Sequence, residues 1–84
     1  MFQRVRTVEP QPELTLKITF LNGTIKQYDV KPLLSLWEPF KALTQVHGLF
    51  DQVKVDLGGY GISWNEDIDL SCNELWEHGT AWPC

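Results

Sequence analysis

The segment Trp64–Gly79, WNEDIDLSCNELWEHG, concentrates most of the side chains in this chain that could do chemistry. It contains five carboxylates, one cysteine and one histidine. Such groups bind metal ions, act as nucleophiles and transfer protons. The segment could therefore be a metal site or a catalytic site, or it could simply be the start and end of a helix.

The spacing argues against both metal sites that the segment suggests. Asp67, Asp69 and Ser71 occupy the first, third and fifth places of an EF-hand-like loop. Such a loop needs glycine at the sixth place and glutamate at the twelfth, where this chain has Cys72 and His78. We expect no calcium site.

A zinc site would have to combine Cys72, His78 and Cys84. If Cys72 and His78 share a helix, their six-residue separation turns them about 240° apart. They then point to different faces, and one terminal cysteine does not restore the site. We therefore expect neither a metal nor a cofactor. A Cys72–Cys84 disulfide is also possible, but two free thiols are favoured over it.

Helix capping accounts for most of the same residues. Ser71 and Glu74 form the S-x-x-E pattern of a capping box, and Leu70 and Leu75 stand at the positions of a hydrophobic staple. Asp69 and His78 suit the two ends of the helix dipole, and Gly79 supplies a stop. The spacing of Cys72, Leu75 and Trp76 predicts that they face the core. This explanation leaves Glu66, Asp67 and Glu77 without a role in folding.

The rest of the chain offers no nucleophilic or phosphate-binding motif. No serine stands in a strained elbow motif, and GGYG lacks the spacing and the following helix of a phosphate loop. We therefore expect no catalytic residues. A small enzyme or ligand-binding domain stays open as an alternative, and it would use Asp56, Tyr60, Asp67 or His47.

Length and charge narrow the functional class. The chain has 84 residues, which predicts one domain over 1–84, with a core at about 4–79 and a tail at 80–84. Residues 1–50 carry six basic and four acidic groups (+2), and residues 51–84 carry one basic and seven acidic groups (−6). Without a basic surface, direct nucleic acid binding is not expected.

Nothing in the sequence predicts export or insertion into a membrane. The first ten residues contain no apolar segment of a signal peptide, and no apolar run approaches about 20 residues. We expect a cytoplasmic protein.

Two hairpins dominate the predicted structure. Alternation from Leu14 to Phe20, an Asn-Gly turn and a strand from Thr24 to Val30 predict the first. A three-residue loop over 21–23, with Gly23 left-handed, pairs Leu16 with Tyr28 and places the apolar groups on one face. A strand from about Arg4 to Glu9 should precede this hairpin, ended by Pro10 and Pro12.

The second hairpin is predicted around a Gly58-Gly59 loop. This register buries one face, in the pairs Leu57–Tyr60, Val55–Ile62 and Val53–Trp64. A short strand at about Asp67–Asp69 follows it.

After the first hairpin the apolar residues no longer alternate with polar ones, and the new spacing predicts short helices. One turn should begin at Pro32, and a helix from about Pro39 to His47 should bury Phe40, Leu43 and Val46. The prediction is therefore an α+β fold with a largely antiparallel sheet, made of two hairpins plus an N-terminal strand, and two or three short helices.

Two tryptophans have no place in this predicted core. Trp37 lies between helical segments, and Trp82 lies in the tail TAWPC. A tail tryptophan either folds back on its own domain, which is the favoured outcome, or docks on another chain. An aromatic patch without a core position is typical of an interface.

The order of motifs resembles the small bacterial family called domain of unknown function 2442. The similarity runs from about Val5 to Gly79, through LKITFLNGTIKQYDVKPLL, PFKALTQVHGLFDQVKVD and GISWNEDIDLSCNELW. It is carried by Phe20, Gly23, Asp29, Leu33, Leu34, Phe40, Leu49, Phe50, Val55, Trp64, Asp69, Leu70 and Leu75. The resemblance implies no established enzymatic activity. Some relatives carry the domain ahead of a helix-turn-helix domain, and others resemble one partner of a toxin–antitoxin pair.

We therefore expect a non-catalytic interaction or regulatory module. Its partner would be a small co-encoded protein or a second copy of the chain, as in a homodimer. The residues predicted to contact that partner are Glu66, Asp67, Glu77, Trp76 and Trp82. A purely homo-oligomeric structural domain is a further alternative.

Overall fold

The computed structural model describes residues 3–82, and within them seven strands form two antiparallel sheets. The first sheet has the order β1–β2–β3–β7 and the second has the order β4–β5–β6. The strands are β1 (Val5–Gln11), β2 (Thr15–Phe20), β3 (Ile25–Asp29), β4 (Lys54–Val55), β5 (Gly61–Asn65), β6 (Ile68–Ser71) and β7 (Thr80–Ala81).

Short helical segments connect these strands. The α-helices are α1 (Leu33–Leu36), α2 (Ala42–Gln45) and α3 (Cys72–His78). Glu38–Lys41, Phe50–Gln52 and Leu57–Gly59 form 3₁₀ turns. The predicted α+β class is therefore confirmed. Among the described residues, no helix has the length and apolar character needed to cross a bilayer.

The first hairpin has the predicted register. Leu16 pairs with Tyr28, and the N–H of Val30 donates to the C=O of Leu14 over 2.9 Å. Gly23 has φ +92°, which is the left-handed conformation that the three-residue loop requires. This register directs β2 and β3 side chains into the core.

The second hairpin keeps its predicted register but has a different loop. Val55 pairs with Ile62 as predicted. The N–H of Asp56 donates to the C=O of Gly61, which closes a four-residue loop over 57–60 in place of a two-residue one. The prediction that Leu57 and Tyr60 are buried is therefore wrong: Leu57 is 99% exposed and Tyr60 is 54% exposed. The loop bends because Gly59 lies against the backbone of Val5 in β1.

Two other boundaries differ from the prediction. Strand β1 continues through Pro10 to Gln11, because β1 is an edge strand and an edge position tolerates the missing N–H. The predicted helix from Pro39 to His47 is a 3₁₀ turn followed by α2, which ends at Gln45. Val46 is extended and exposed, so its predicted inward position is wrong.

A single hydrophobic core lies between the two sheets and helix α3. Strand β1 contacts β4 and β5, and α3 contacts β3 and β5. The residues with no more than 1% exposure are Leu16, Ile18, Phe20, Val30, Ile62, Ile68 and Leu75.

The segment after α3 folds back on the domain. Strand β7 pairs with β3, and the N–H of Trp82 donates to the C=O of Ile25 over 3.2 Å. The predicted tail therefore contributes a fourth strand to the first sheet. Cys84, and with it any Cys72–Cys84 bridge, lies outside the described residues.

Gly59 tests the contact between the second hairpin and β1. Its φ is +78°, and a Cβ there would lie 2.5 Å from the Val5 carbonyl oxygen. An alanine at position 59 would have to adopt the left-handed conformation and would overpack against Val5. Gly59→Ala should therefore lower the free energy of unfolding by about 2–4 kcal/mol, measured by urea denaturation. Gly48→Ala is the matched control, since Gly48 has φ +79° in open space, and we expect a loss of about 1–2 kcal/mol. Equal losses in the two variants would contradict the proposed contact.

Candidate functional site

The start of helix α3 is capped by Ser71, as predicted. Its side-chain oxygen accepts from the N–H of Glu74 over 3.1 Å. The Glu74 carboxylate was expected to return to the N–H of residue 71. Instead, its Oε2 accepts from the phenol O–H of Tyr28 over 2.8 Å. The carboxylate therefore ties the helix to strand β3.

The end of the helix also differs in detail from the prediction. Gly79 follows the last helical residue, and its N–H donates to the C=O of Leu75 over 3.0 Å. Its φ is −74°, so the left-handed conformation is not what requires glycine here. A Cβ at Gly79 would lie 2.5 Å from the Leu75 carbonyl oxygen. Close approach of the chain to the helix end therefore explains this residue.

The Tyr28 phenol is strongly held in its neutral form. Its side chain is only 4% exposed. Burial, and then the hydrogen bond to Glu74 and the nearby negative charges of Glu74 and Asp29, raise the pKa of Tyr28 well above its usual value of 10.0. Tyr28 consequently donates to Glu74 throughout the neutral pH range.

A cleft of about 580 Å³ opens beside this hydrogen bond, between β3 and α3. Its polar lining includes Gln27, Tyr28, Asp29, Glu74, His78 and Thr80. The His78 Nε2 lies 3.9 Å from Glu74 Oε1. We call this cavity the β3–α3 cleft. The sequence predictions missed it, because Tyr28 was assigned to the core and Glu74 to the helix cap. The i, i+4 spacing of Glu74 and His78 was the available signal.

A second concave surface lies between the segment that follows α1 and the start of β6. It has a volume of about 440 Å³ and is lined by Leu36, Trp37, Glu38, Pro39, Phe40, Asp67 and Asp69. Trp37 is 48% exposed and Leu36 is 67% exposed. The Trp37 ring packs against Phe40, with 5.6 Å between the ring centres. We call this surface the aromatic groove.

The turn between β5 and β6 sets the position of the acidic residues. The Asn65 side-chain oxygen accepts from the N–H of Asp67 over 2.8 Å and from the N–H of Ile68 over 3.0 Å. Asn65 thus builds the turn, which leaves Glu66 and Asp67 exposed. Asp67 and Asp69 both reach the groove.

The other predicted contact residues lie in different surroundings. Trp76 packs edge-on against Phe20 at 5.0 Å between ring centres, and Lys26 Nζ lies 4.1 Å from its ring centre. Trp82 has Lys17 Nζ 5.0 Å from its ring centre. Both tryptophans therefore have partners within the chain, and neither lines the aromatic groove.

Glu77 is exposed on α3 and lines neither the groove nor the cleft. Of the five residues predicted to contact a partner, Asp67 lies in the groove and Glu66 precedes it. A role for the five in binding a partner stays a prediction.

The residues proposed for an enzyme or ligand site are not gathered in one cavity. The Asp56 Oδ1 accepts from the Ser63 hydroxyl over 2.6 Å, and the Tyr60 ring lies under the guanidinium of Arg4 at 5.5 Å. His47 is exposed after α2.

Potential metal ligands are equally dispersed. Cys72 is buried at 3% exposure. Within residues 3–82, no three Asp, Glu, His or Cys side chains are grouped so that they could hold a metal ion.

Comparison with known proteins identifies a family. A family model described as "Protein of unknown function (DUF2442)" matches residues 5–81. Searches of the curated proteins and of the solved structures gave no match. The match covers both sheets, all three helices and both concave surfaces.

The Tyr28–Glu74 hydrogen bond predicts a specific pH dependence of stability. Folding raises the pKa of Tyr28 above the usual 10.0. The stabilisation that the neutral phenol gives the folded state is therefore fully present below pH 10, and it is lost as the pH rises further. Tyr28→Phe should lower the free energy of unfolding by about 1–2 kcal/mol at pH 8. Above pH 10 the wild-type advantage should shrink by up to about 1.4 kcal/mol per pH unit.

Urea denaturation of both proteins from pH 8 to 11.5 measures this difference. Taking the difference removes the pH effects that both proteins share. A wild-type advantage that stays constant across this range would contradict the assignment.

Proposed function

The chain belongs to the family described as protein of unknown function (DUF2442), and on that premise we propose that it is a non-catalytic protein-interaction module. Its docking surface is the aromatic groove. The observation that carries this proposal is the exposure of Trp37 and Leu36 in a concave surface bordered by three carboxylates.

Exposed apolar area supports a protein partner. Burying a tryptophan and a leucine on another protein removes apolar surface from water, which is the main favourable contribution to most protein association. Tryptophan is also among the residues that contribute most to binding energy at interfaces. Packing of the Trp37 ring against Phe40 restricts its movement before docking. Little side-chain entropy is therefore lost on docking.

The charges around the groove define the chemistry of the partner. Glu38 already pairs with Lys41 over 2.8 Å. Within the described residues, Asp67 and Asp69 have no ion pair, and no hydrogen bond to their side chains is found. We infer a partner segment that presents an apolar side chain next to lysine or arginine. The net charge of −6 on residues 51–84 favours its approach.

The requirement for a lysine or arginine next to an apolar side chain favours a different protein, rather than a second copy of this chain, as the partner. Two of the lysines in the chain, Lys17 and Lys26, lie over Trp82 and Trp76 and would have to leave them. The family resemblance supports a small co-encoded protein in the bacterial cytoplasm, in the manner of a toxin–antitoxin pair. The overall charge of −4 disfavours nucleic acid as the direct partner.

Capture from the native host tests the proposal with matched variants. Tagged wild-type protein should recover a protein partner in stoichiometric amount, and Trp37→Ser should weaken that complex by about 30-fold or more. Leu57→Ser is the control, because Leu57 is 99% exposed outside the groove, and it should leave binding unchanged. The double variant Asp67→Asn/Asp69→Asn should weaken binding at low salt and flatten its salt dependence.

The outcome that overturns the proposal is equally concrete. Capture that is the same for Trp37→Ser and wild type would remove the groove as the docking surface. Light scattering that shows a stable homodimer, disrupted by Trp37→Ser, would replace the foreign partner with a second copy.

A further inference from the structure

We propose that the β3–α3 cleft binds a small organic cation that carries an ammonium or guanidinium group on a short alkyl chain. The cleft lies apart from the aromatic groove and shares no lining residue with it. This inference therefore does not depend on the proposed function.

The size of the cleft suits a small ligand. Its volume of about 580 Å³ falls within the range of about 300–1,000 Å³ that is usual for ligand pockets. Pro32 and Leu33 form an apolar part of the wall, opposite the polar groups on α3. The cleft therefore matches a ligand with an alkyl part and a polar head.

Glu74 provides an open acceptor for that polar head. Its Oε2 accepts from Tyr28, which fixes the orientation of the carboxylate. Within the described residues no hydrogen bond to its Oε1 is found, and the His78 Nε2 at 3.9 Å is too distant for one. The Glu74 side chain retains 31% exposure, so this second oxygen can be reached by a ligand.

Asp29 adds acceptors from the facing strand. Its Oδ1 is engaged by Lys31, through the backbone N–H at 3.0 Å and through Nζ at 3.0 Å. No hydrogen bond to Oδ2 is found within the described residues. Glu74 and Asp29, which both line the cleft, therefore each keep one carboxylate oxygen without a hydrogen bond from the described residues.

The backbone of Asp29 also offers a hydrogen-bond acceptor at the edge of the cleft. Val30, just after β3, donates to Leu14, just before β2, whereas Ile25 accepts from Trp82 on the β7 side, so the direction of bonding alternates along the strand. By this alternation, Asp29 directs both its N–H and its C=O to the β7 side, but pairing with β7 ends at Gln27–Thr80. The carbonyl, like the N–H, therefore faces the open edge where the cleft lies.

The carboxylate and carbonyl acceptors of the cleft favour a positively charged ligand. Carboxylate and carbonyl oxygens can only accept hydrogen bonds, so they require a ligand rich in N–H donors. An ammonium or guanidinium group supplies such donors together with a complementary charge. An anion would face two carboxylates, whereas a neutral N–H donor would hydrogen-bond to them without the attraction between opposite charges.

A matched pair of ligands tests the proposal on the wild-type protein. N-Propylguanidinium and N-propylurea have nearly the same shape and differ in charge. We expect N-propylguanidinium to shift the amide NMR signals of Asp29, Leu33, His78 and Thr80 in a saturable way, with a Kd on the order of millimolar. N-Propylurea should bind at least about tenfold more weakly.

A matched pair of variants tests the role of the Glu74 carboxylate. Glu74→Gln keeps an oxygen for Tyr28 but removes the charge, and it should weaken binding of N-propylguanidinium by about tenfold or more. Asp51→Asn removes one exposed carboxylate elsewhere and should leave the Kd within about twofold.

Any of three results would overturn the inference. The first is equal binding of the urea and the guanidinium. The second is an unchanged Kd in Glu74→Gln. If that variant fails to fold, the ligand pair on the wild-type protein decides the question alone. Shifts that map to Asp67 and Asp69 would likewise exclude the cleft.

Discussion

The hydrogen bond between Tyr28 and Glu74 joins helix α3 to the first sheet, and the position of the Glu74 carboxylate in the β3–α3 cleft depends on that contact. A helix of seven residues is too short to be stable alone in water. Helix α3 persists because Leu75 is fully buried and because the N–H of Cys72 donates to the C=O of Tyr60 in the second hairpin. One short helix thereby holds two small sheets against a single core.

Both concave surfaces depend on contacts of this kind. In the β3–α3 cleft, the bond from Tyr28 orients Glu74 and leaves one carboxylate oxygen open. In the aromatic groove, Asn65 builds the turn that carries Asp67, so that carboxylate is not needed for folding. In each case, a buried or structural side chain positions a carboxylate that keeps an oxygen without a hydrogen bond from the described residues.

The sequence could predict what depends on local pattern. Alternation and turn chemistry predicted the pairing of Leu16 with Tyr28, and the S-x-x-E pattern predicted the cap at Ser71. The predictions failed where contact with a segment distant in the chain determines the local conformation. Leu57 is exposed because Gly59 packs against β1, and Glu74 turns from its cap position to a tyrosine 46 residues earlier in the chain.

The same reason explains why neither concave surface was predicted as a unit. Trp37 and Asp67 are thirty positions apart, and only the approach of β6 to the segment after α1 places them in one groove. The sequence did indicate that Trp37 lacked a core position and that Asp67 was not needed for the helix. It could not show that these two unassigned residues are neighbours.

Fluorine NMR of protein labelled with 5-fluorotryptophan tests the central claim most directly, because the four tryptophans report on different surfaces. Trp64 is buried, Trp76 and Trp82 lie beside lysines, and Trp37 lies in the groove. Addition of the partner recovered from the host should shift the Trp37 resonance most and leave that of Trp64 nearly unchanged. A shift confined to Trp76 and Trp82 would place the partner at the tryptophans beside Lys26 and Lys17 and would contradict this account.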